Sequence, residues 1–382
     1  MIMLYKCSHI FLNGKFVSGG FTVGNGLFID VSEGKDASHD AADTVDLGGA
    51  YVIPGLVDIH THGNSGADFS DGDPAGLEKM ARYLAENGVT SFAPTSLTLP
   101  LDALKKAFVG AKKLAERRPE GCARVAGINM EGPFFSEKKK GAQNPAYLRD
   151  PDHDFFKELY DVSGGLLRIV DIAPELPGAS EFIEKASRLC RVSLAHTDAD
   201  YETARRAFDA GARHMTHLFN AMPGLHHRAP GPVAAGSERE DVFAELICDG
   251  LHVHPAMIRL AYRLFPGRIC MISDALRCCG MPEGVYNIDG RETYVKDRLA
   301  RLADGTIAGS ASNLYDCLLT AVRSGVPREE AILSATLNPA KALTAEDRIG
   351  SIEPGKCADF VVCDENLERR AVYVGGERAG KF

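Results

Sequence analysis

Val52-Ile53-Pro54-Gly55-Leu56-Val57-Asp58-Ile59-His60-Thr61-His62-Gly63 decides the fold, because it is an apolar run that ends in two histidines one residue apart. Side chains alternate faces along a strand, so a His-x-His pair on extended backbone turns both imidazoles the same way and offers two metal ligands from one strand end. Val52, Ile53, Leu56, Val57 and Ile59 leave no polar face, which predicts a buried strand, and Gly63 breaks the pattern just beyond the second histidine. Without a metal, the pair is simply two histidines where a loop begins. The metal reading gains force only if further ligand types stand at later strand ends.

Downstream, strand and helix signals alternate. Asp73-Pro74 caps a helix that runs to Asn87-Gly88, and residues 89–93 read as a second strand. A helix from Leu101 to Arg117 leads to a third strand, residues 124–130, which ends at Glu131-Gly132-Pro133. Further strands are expected over 167–172, 191–195 ending at His196, 214–216 ending at His217, 243–247, and 269–273 ending at Asp274. Eight strand candidates with intervening helices predict an α/β fold, a (β/α)8 TIM-type barrel whose active site lies at the carboxyl ends of its strands. Before them, Ile10-Phe11-Leu12, Phe16-Val17, Phe21-Thr22-Val23 and Leu27-Phe28-Ile29 are cut by Asn13-Gly14, Gly19-Gly20 and Asn25-Gly26. The pattern returns at residues 358–363 and 371–376. The two ends are therefore expected to pair into one small β-sandwich domain, residues 1–53 plus 346–382, flanking a barrel over residues 54–345.

A chain of 382 residues suits a large barrel with a small accessory unit. Hydrophobic residues make up 45% and charged residues 25%, with no apolar run of bilayer-crossing length, so a soluble globular protein is expected. The first residues lack the features of a signal peptide, and the ten cysteines include no Cys-x-x-Cys pair; reduced thiols in the cytoplasm are the simpler account. A net charge of −9 argues against a nucleic-acid surface. An anionic substrate would have to be met by a local basic cluster.

His60, His62, Glu131, His196, His217 and Asp274 all fall at or just past a proposed strand end, and in a barrel those positions converge. Imidazole and carboxylate donors suit Zn²⁺ or Fe²⁺. Singly, a histidine at a strand end is an ordinary polar residue, Glu131 a helix-capping acid, and Asp274 an N-cap. Taken together they predict a metal centre, in which Asp274, after the last strand, serves as general base toward the attacking water.

The same order of residues resembles the amidohydrolase superfamily. More narrowly, Met130-Glu131-Gly132-Pro133-Phe134, His217-Leu218-Phe219-Asn220-Ala221-Met222-Pro223, His226-His227-Arg228, Asp249-Gly250-Leu251-His252-Val253-His254-Pro255 and Gly350-Ser351-Ile352-Glu353-Pro354-Gly355-Lys356 resemble the N-acetylglucosamine-6-phosphate deacetylase family along essentially the whole chain. The resemblance implies that Glu131, His196 and His217 hold a main ion and that His60 and His62 complete a second position, giving one or two divalent ions per subunit. It implies that Asn220, Ala221, Arg228 and His252 grip the sugar phosphate, a fitting use of a guanidinium fork. It further implies a homodimer in which the segment around Arg228 reaches the neighbouring site. On the residues alone, Arg228 is equally a surface ion pair, and Lys138-Lys139-Lys140 a solvated loop or an anion-attracting rim.

One position departs from the family pattern: Gln143 stands where the family usually has a histidine that helps bind the substrate and polarise its carbonyl. Glutamine donates a hydrogen bond but carries no proton or positive charge. The expected activity is hydrolysis of the N-acetyl group of N-acetylglucosamine 6-phosphate, with Gln143 among the substrate-binding residues. The same chemistry on the galactosamine epimer stays open; N-acyl amino acid hydrolysis is disfavoured, because it gives Arg228 and the paired histidines no phosphate to bind, and the full ligand set with Asp274 counts against a non-catalytic barrel that binds sugar phosphate. Cys278 and Cys279 are read as small buried apolar residues.

Overall fold

The computed structural model describes residues 2–34, 43–288 and 290–380. Residues 1, 35–42, 381 and 382, expected from sequence in the small domain, lie outside the described residues. The opening apolar run serves two sheets: Tyr51–Pro54 pairs with Phe360–Cys363 in the small domain, whereas Leu56–Thr61 is the first barrel strand. Gly55 is the junction, since a Cβ there would collide with the side chain of Thr90. One continuous buried strand is thus corrected to two strands in different sheets, separated where backbone presses on a neighbouring side chain.

The barrel strands are β1 (Leu56–Thr61), β2 (Val89–Ser96), β3 (Ile128–Phe134), β4 (Leu167–Ile172), β5 (Arg191–Leu194), β6 (His214–Met215), β7 (Phe243–Ile247) and β8 (Ile269–Ile272). Each pairs in parallel with the next. Between β8 and β1 the wall is closed by a parallel bridge between Thr61 and Ala275, with Asp274 N–H donating to His60 O at 3.0 Å and His62 N–H to Ala275 O at 2.8 Å. Ser273 Oγ donates to buried Asp58 at 2.6 Å across the same seam. Burial drives the Asp58 carboxyl up to about 7 despite these bonds. The third strand starts later than its sequence suggests. Arg124–Val125 is a separate short strand along β2, and β3 runs through Glu131 to Phe134 with a register shift between Met130 and Phe134. Glu131 therefore stands inside its strand, because Gly132, at φ 97°, bends the chain without ending it.

Helices pack outside as amphipathic cover. In α1 (Pro74–Glu86) the Asp73 side chain accepts from the backbone N–H of Ala75 and Gly76, and Leu77, Met80, Ala81 and Leu84 form its buried stripe. In α2 (Leu101–Arg117) the stripe is Leu104, Ala107, Phe108, Ala111 and Leu114.

Both chain ends build the second sheet: strands Ile2–Leu12, Lys15–Gly24, Leu27–Glu33, Asp43–Asp46 and Tyr51–Pro54 from one, Phe360–Cys363, Arg369–Val374 and Glu377–Ala379 from the other. It curls on itself, so that Phe21 and Phe360, on strands with two others between them, meet at 5.0 Å around a core shared with Tyr5 and Phe28. A feature not anticipated from sequence follows β8. Gly284–Ile288, Arg291–Lys296, Leu299–Leu302 and Ile307–Ser310 form an antiparallel meander over the barrel mouth. Its signals are present in the alternation of buried Thr293 and Val295 with exposed Glu292, Tyr294 and Lys296, and in the Asp304-Gly305 turn. No described helix is long and apolar enough to cross a membrane, and all ten cysteines are free thiols.

Candidate metal and substrate site

At the ends of β5, β6 and β8 the backbone turns over. His196, His217 and Asp274 have φ of 43°, 28° and 48°, left-handed values that non-glycine residues adopt at a cost. Neighbours hold them there: Ser136 N–H donates to His196 O at 3.0 Å, Leu218 N–H to Glu245 O at 2.8 Å, and Ser310 N–H to Asp274 O at 2.9 Å. The result aims three polar side chains across the barrel mouth at Glu131.

Glu131 Oε1 lies 3.2 Å from His196 Nε2, 3.1 Å from His217 Nε2 and 3.5 Å from His60 Nε2, and its Oε2 lies 3.4 Å from His62 Nε2. Asp274 Oδ1 lies 3.3 Å from His62 Nε2 and 3.6 Å from His60 Nε2. Two triads thus offer ligand atoms within 4.8 Å of one another: Glu131, His196 and His217; and His60, His62 and Asp274. A third, overlapping group joins His60 and Glu131 to Asp171. No helix follows Asp274 directly; Ala275 bridges to Thr61 and Ser310 instead, which removes the N-cap alternative.

Whether these residues suit a cation is tested by the far side of each ring. His196 Nδ1 is 2.8 Å from Lys139 O, His62 Nδ1 3.1 Å from Thr95 O and His60 Nδ1 2.8 Å from Glu245 Oε2. Carbonyl and carboxylate oxygens only accept, so each Nδ1 carries a hydrogen, which leaves Nε2 as the nitrogen of each ring able to give a lone pair to an ion at the centre. His60 Nε2 is buried without a hydrogen-bond partner, and the Nε2 atoms of His196 and His217 face each other at 3.2 Å. Lone pairs so placed fit a divalent ion between them. Burial favours neutral Glu131 and Asp274, but the histidines outweigh it: His196 and His217 hold Glu131 well below the usual carboxylate range, and His62 and His60 lower Asp274.

A cavity of about 300 Å³ opens above the triads, between the barrel mouth and the meander. Asn220, Ala221, His252 and Gln143 line it, together with Lys138 and Lys139 on its rim. His252 Nδ1 is 2.7 Å from Asp249 Oδ2, and its Nε2 is buried without a partner. Gln143 is held at both ends of its amide: Nε2 donates to Glu131 Oε2 at 2.6 Å, and Oε1 accepts from Thr98 N–H at 2.9 Å. One amide hydrogen is left for a ligand. Arg228 is not brought to this cavity; it is exposed on the loop after β6, beside Leu225 at 39% exposure. Lys138 pairs with Asp198 at 3.2 Å. Cys278 and Cys279 are buried below the meander, where burial pushes their thiols up to about 11 and about 12. Asp171 and Glu245 were not anticipated from sequence, although an acid inside an otherwise apolar strand is a usable signal.

Residues 51–380 match the family model described as Amidohydrolase family. A relative from Escherichia coli O157:H7 called N-acetylgalactosamine-6-phosphate deacetylase is 38% identical over 86% of this chain and 87% of its own. One from Vibrio furnissii called N-acetylglucosamine-6-phosphate deacetylase is 36% identical over 93% of this chain and 89% of its own. The solved structure of a mutant N-acetyl-D-glucosamine-6-phosphate deacetylase from Mycobacterium smegmatis, in complex with N-acetyl-D-glucosamine-6-phosphate, superposes with a TM-score of 0.92 at 32% identity, covering 100% of both chains.

Proposed function

The chain belongs to the amidohydrolase family, and on that premise we propose that it hydrolyses the acetamide of N-acetylglucosamine 6-phosphate to glucosamine 6-phosphate and acetate. The observation that carries this reading is the pair of ligand triads directly beneath a cavity lined by Asn220, Ala221 and His252. Glu131, His196 and His217 would hold a main ion, and His60 and His62 a second; the mix of imidazole and carboxylate suits zinc or iron. When bound, the ion supplies Lewis acidity at the acyl carbonyl and favours ionisation of water. Asp274, facing the cavity at the edge of the second triad, takes the proton of the attacking water and returns it to the departing amine. The remaining amide hydrogen of Gln143 serves the carbonyl oxygen as negative charge develops on it. His252 Nε2 and the Asn220 amide bind the sugar phosphate. Ten free thiols fit a reducing compartment, the cytoplasm.

Acetate release from N-acetylated glucosamine and galactosamine, each with and without the 6-phosphate, tests the reading. Fastest turnover is expected on N-acetylglucosamine 6-phosphate. Gln143 and the relative named for the galactosamine epimer support a second reading, which faster turnover of that epimer would establish. Release of no acetate from any of the four would leave a sugar-phosphate-binding barrel.

The exposed Arg228 completes the phosphate site of a second subunit in a homodimer. Its loop carries Leu225, and the loop after β7 carries Leu251 at 41% exposure, apolar surface that a partner would cover. Arg228→Ala is expected to lower kcat/KM for the phosphorylated sugar by roughly one to two orders of magnitude, the worth of a charge-assisted hydrogen bond of ~1.5–3 kcal/mol. The unphosphorylated sugar should change little. Mixing Arg228→Ala protein with Asp274→Asn protein should restore activity, because a mixed dimer contains one site with both residues intact. Equal losses on both sugars would show that Arg228 does not read the phosphate.

A further inference from the structure

One charged group beneath the two triads belongs to neither. Glu245, on β7, is fully buried, and among the described residues its carboxylate bonds only to histidines. Oε2 accepts from His60 Nδ1 at 2.8 Å and from His217 N–H at 3.3 Å; Oε1 lies 3.2 Å from His214 Nε2. Its carbonyl accepts from Leu218 N–H at 2.8 Å. One residue therefore fastens the ring of His60 from β1 and the left-handed backbone of His217 just after β6. Those two histidines stand in different triads.

We propose that Glu245 is a positioning residue that holds both halves of the metal centre in register, fixing the ring of His60 with Nε2 inward and the backbone of His217 in its left-handed turn. The inference rests on the metal-dependent reading above. A purely stabilising role explains Glu245 poorly, because buried ion pairs contribute little net stability and apolar replacements of similar volume are often neutral or better. Orientation explains the contacts: a carboxylate, which only accepts, settles which nitrogen of His60 bears the hydrogen. The backbone bond offsets the cost of φ 28° at His217.

Glu245→Gln keeps the shape, removes the charge and turns one of the two accepting oxygens into a donor. Competition with a chromophoric chelator for Zn²⁺ or Co²⁺ is expected to show binding weakened by roughly 10- to 100-fold, the usual cost of losing an outer partner of a ligand. Affinity is read on protein that still shows a cooperative melt, at a temperature expected to fall because one partner of a buried pair is removed. Nitrogen-15 NMR of the zinc-loaded protein should find the His60 Nδ1 hydrogen in a strong hydrogen bond in the parent, and the signal of that ring shifted in the variant. Should Glu245→Gln fail to fold, Glu245→Asp, which keeps the charge but withdraws it by one methylene, is expected to show the same loss of affinity. Unchanged affinity with an unchanged His60 ring in either variant overturns the inference while leaving the metal-dependent reading intact. A parent protein that binds no divalent ion overturns both.

Discussion

Asp274→Asn is expected to lower turnover by roughly two to four orders of magnitude, the span associated with losing a general acid or base, while sugar-phosphate binding stays near that of the parent. Asparagine is nearly isosteric and keeps the oxygen that faces His62 and His60, but it cannot take a proton from water. The backbone role of the residue survives, since the bonds that hold its φ of 48° run through its own N–H to His60 O and its own C=O from Ser310 N–H. Steady-state kinetics with a parallel binding measurement separates the two effects: kcat falls and KM stays nearly constant. Near-normal kcat in the variant would remove Asp274 from the chemistry.

His196, His217 and Asp274 were legible in the sequence for a physical reason. His196 and Asp274 each follow a short, mostly apolar run, His217 follows the two-residue strand His214–Met215, and in a parallel barrel such ends share one face. Glu131 was legible as a residue but not as a position, because Gly132 and Pro133 imitate a strand stop while the backbone carries on to Phe134. The break at Gly55 was marked only by the Pro54-Gly55 dipeptide, a turn signal set inside an apolar run: Val52 and Ile53 are as apolar as Leu56 and Val57, although they belong to different sheets, and a Cβ at Gly55 would strike Thr90. The meander after β8 shows ordinary hairpin alternation, but it lies beyond the eighth barrel strand, where the β/α pattern is already complete. Asn220, Ala221 and His252 entered through family resemblance alone. For His252 the sequence did hold a cue, in Asp249 three residues before it, whose carboxylate turns the ring so that Nε2 is left for a ligand. Arg228 shows the limit of one chain. Its own subunit leaves it exposed, and the use proposed for it needs a partner that local pattern does not describe.

His196→Ala or His217→Ala is expected to abolish tight binding of the main ion, a loss exceeding the roughly 10- to 100-fold cost of removing an outer partner. Each truncation deletes one of three ligand atoms within 4.8 Å of one another and leaves that triad with Glu131 and one imidazole. His60→Ala with His62→Ala should instead cost only the second ion, because the main triad includes neither residue. A complication lies in His60 itself, whose Nε2 sits 3.5 Å from Glu131 Oε1 and 3.6 Å from Asp274 Oδ1, almost midway between the two groups. His62→Ala alone is therefore the cleaner probe of the second position: its Nε2 is nearest Asp274, at 3.3 Å, and its ring is tied to Thr95 O rather than to Glu245. Elemental analysis of purified variants, taken with the Asp274→Asn protein, reads the stoichiometry directly. Loss of the same single equivalent from all four single-histidine variants would mean one shared ion bridged by Glu131, and His60 and His62 would then be its ligands rather than the frame of a second site.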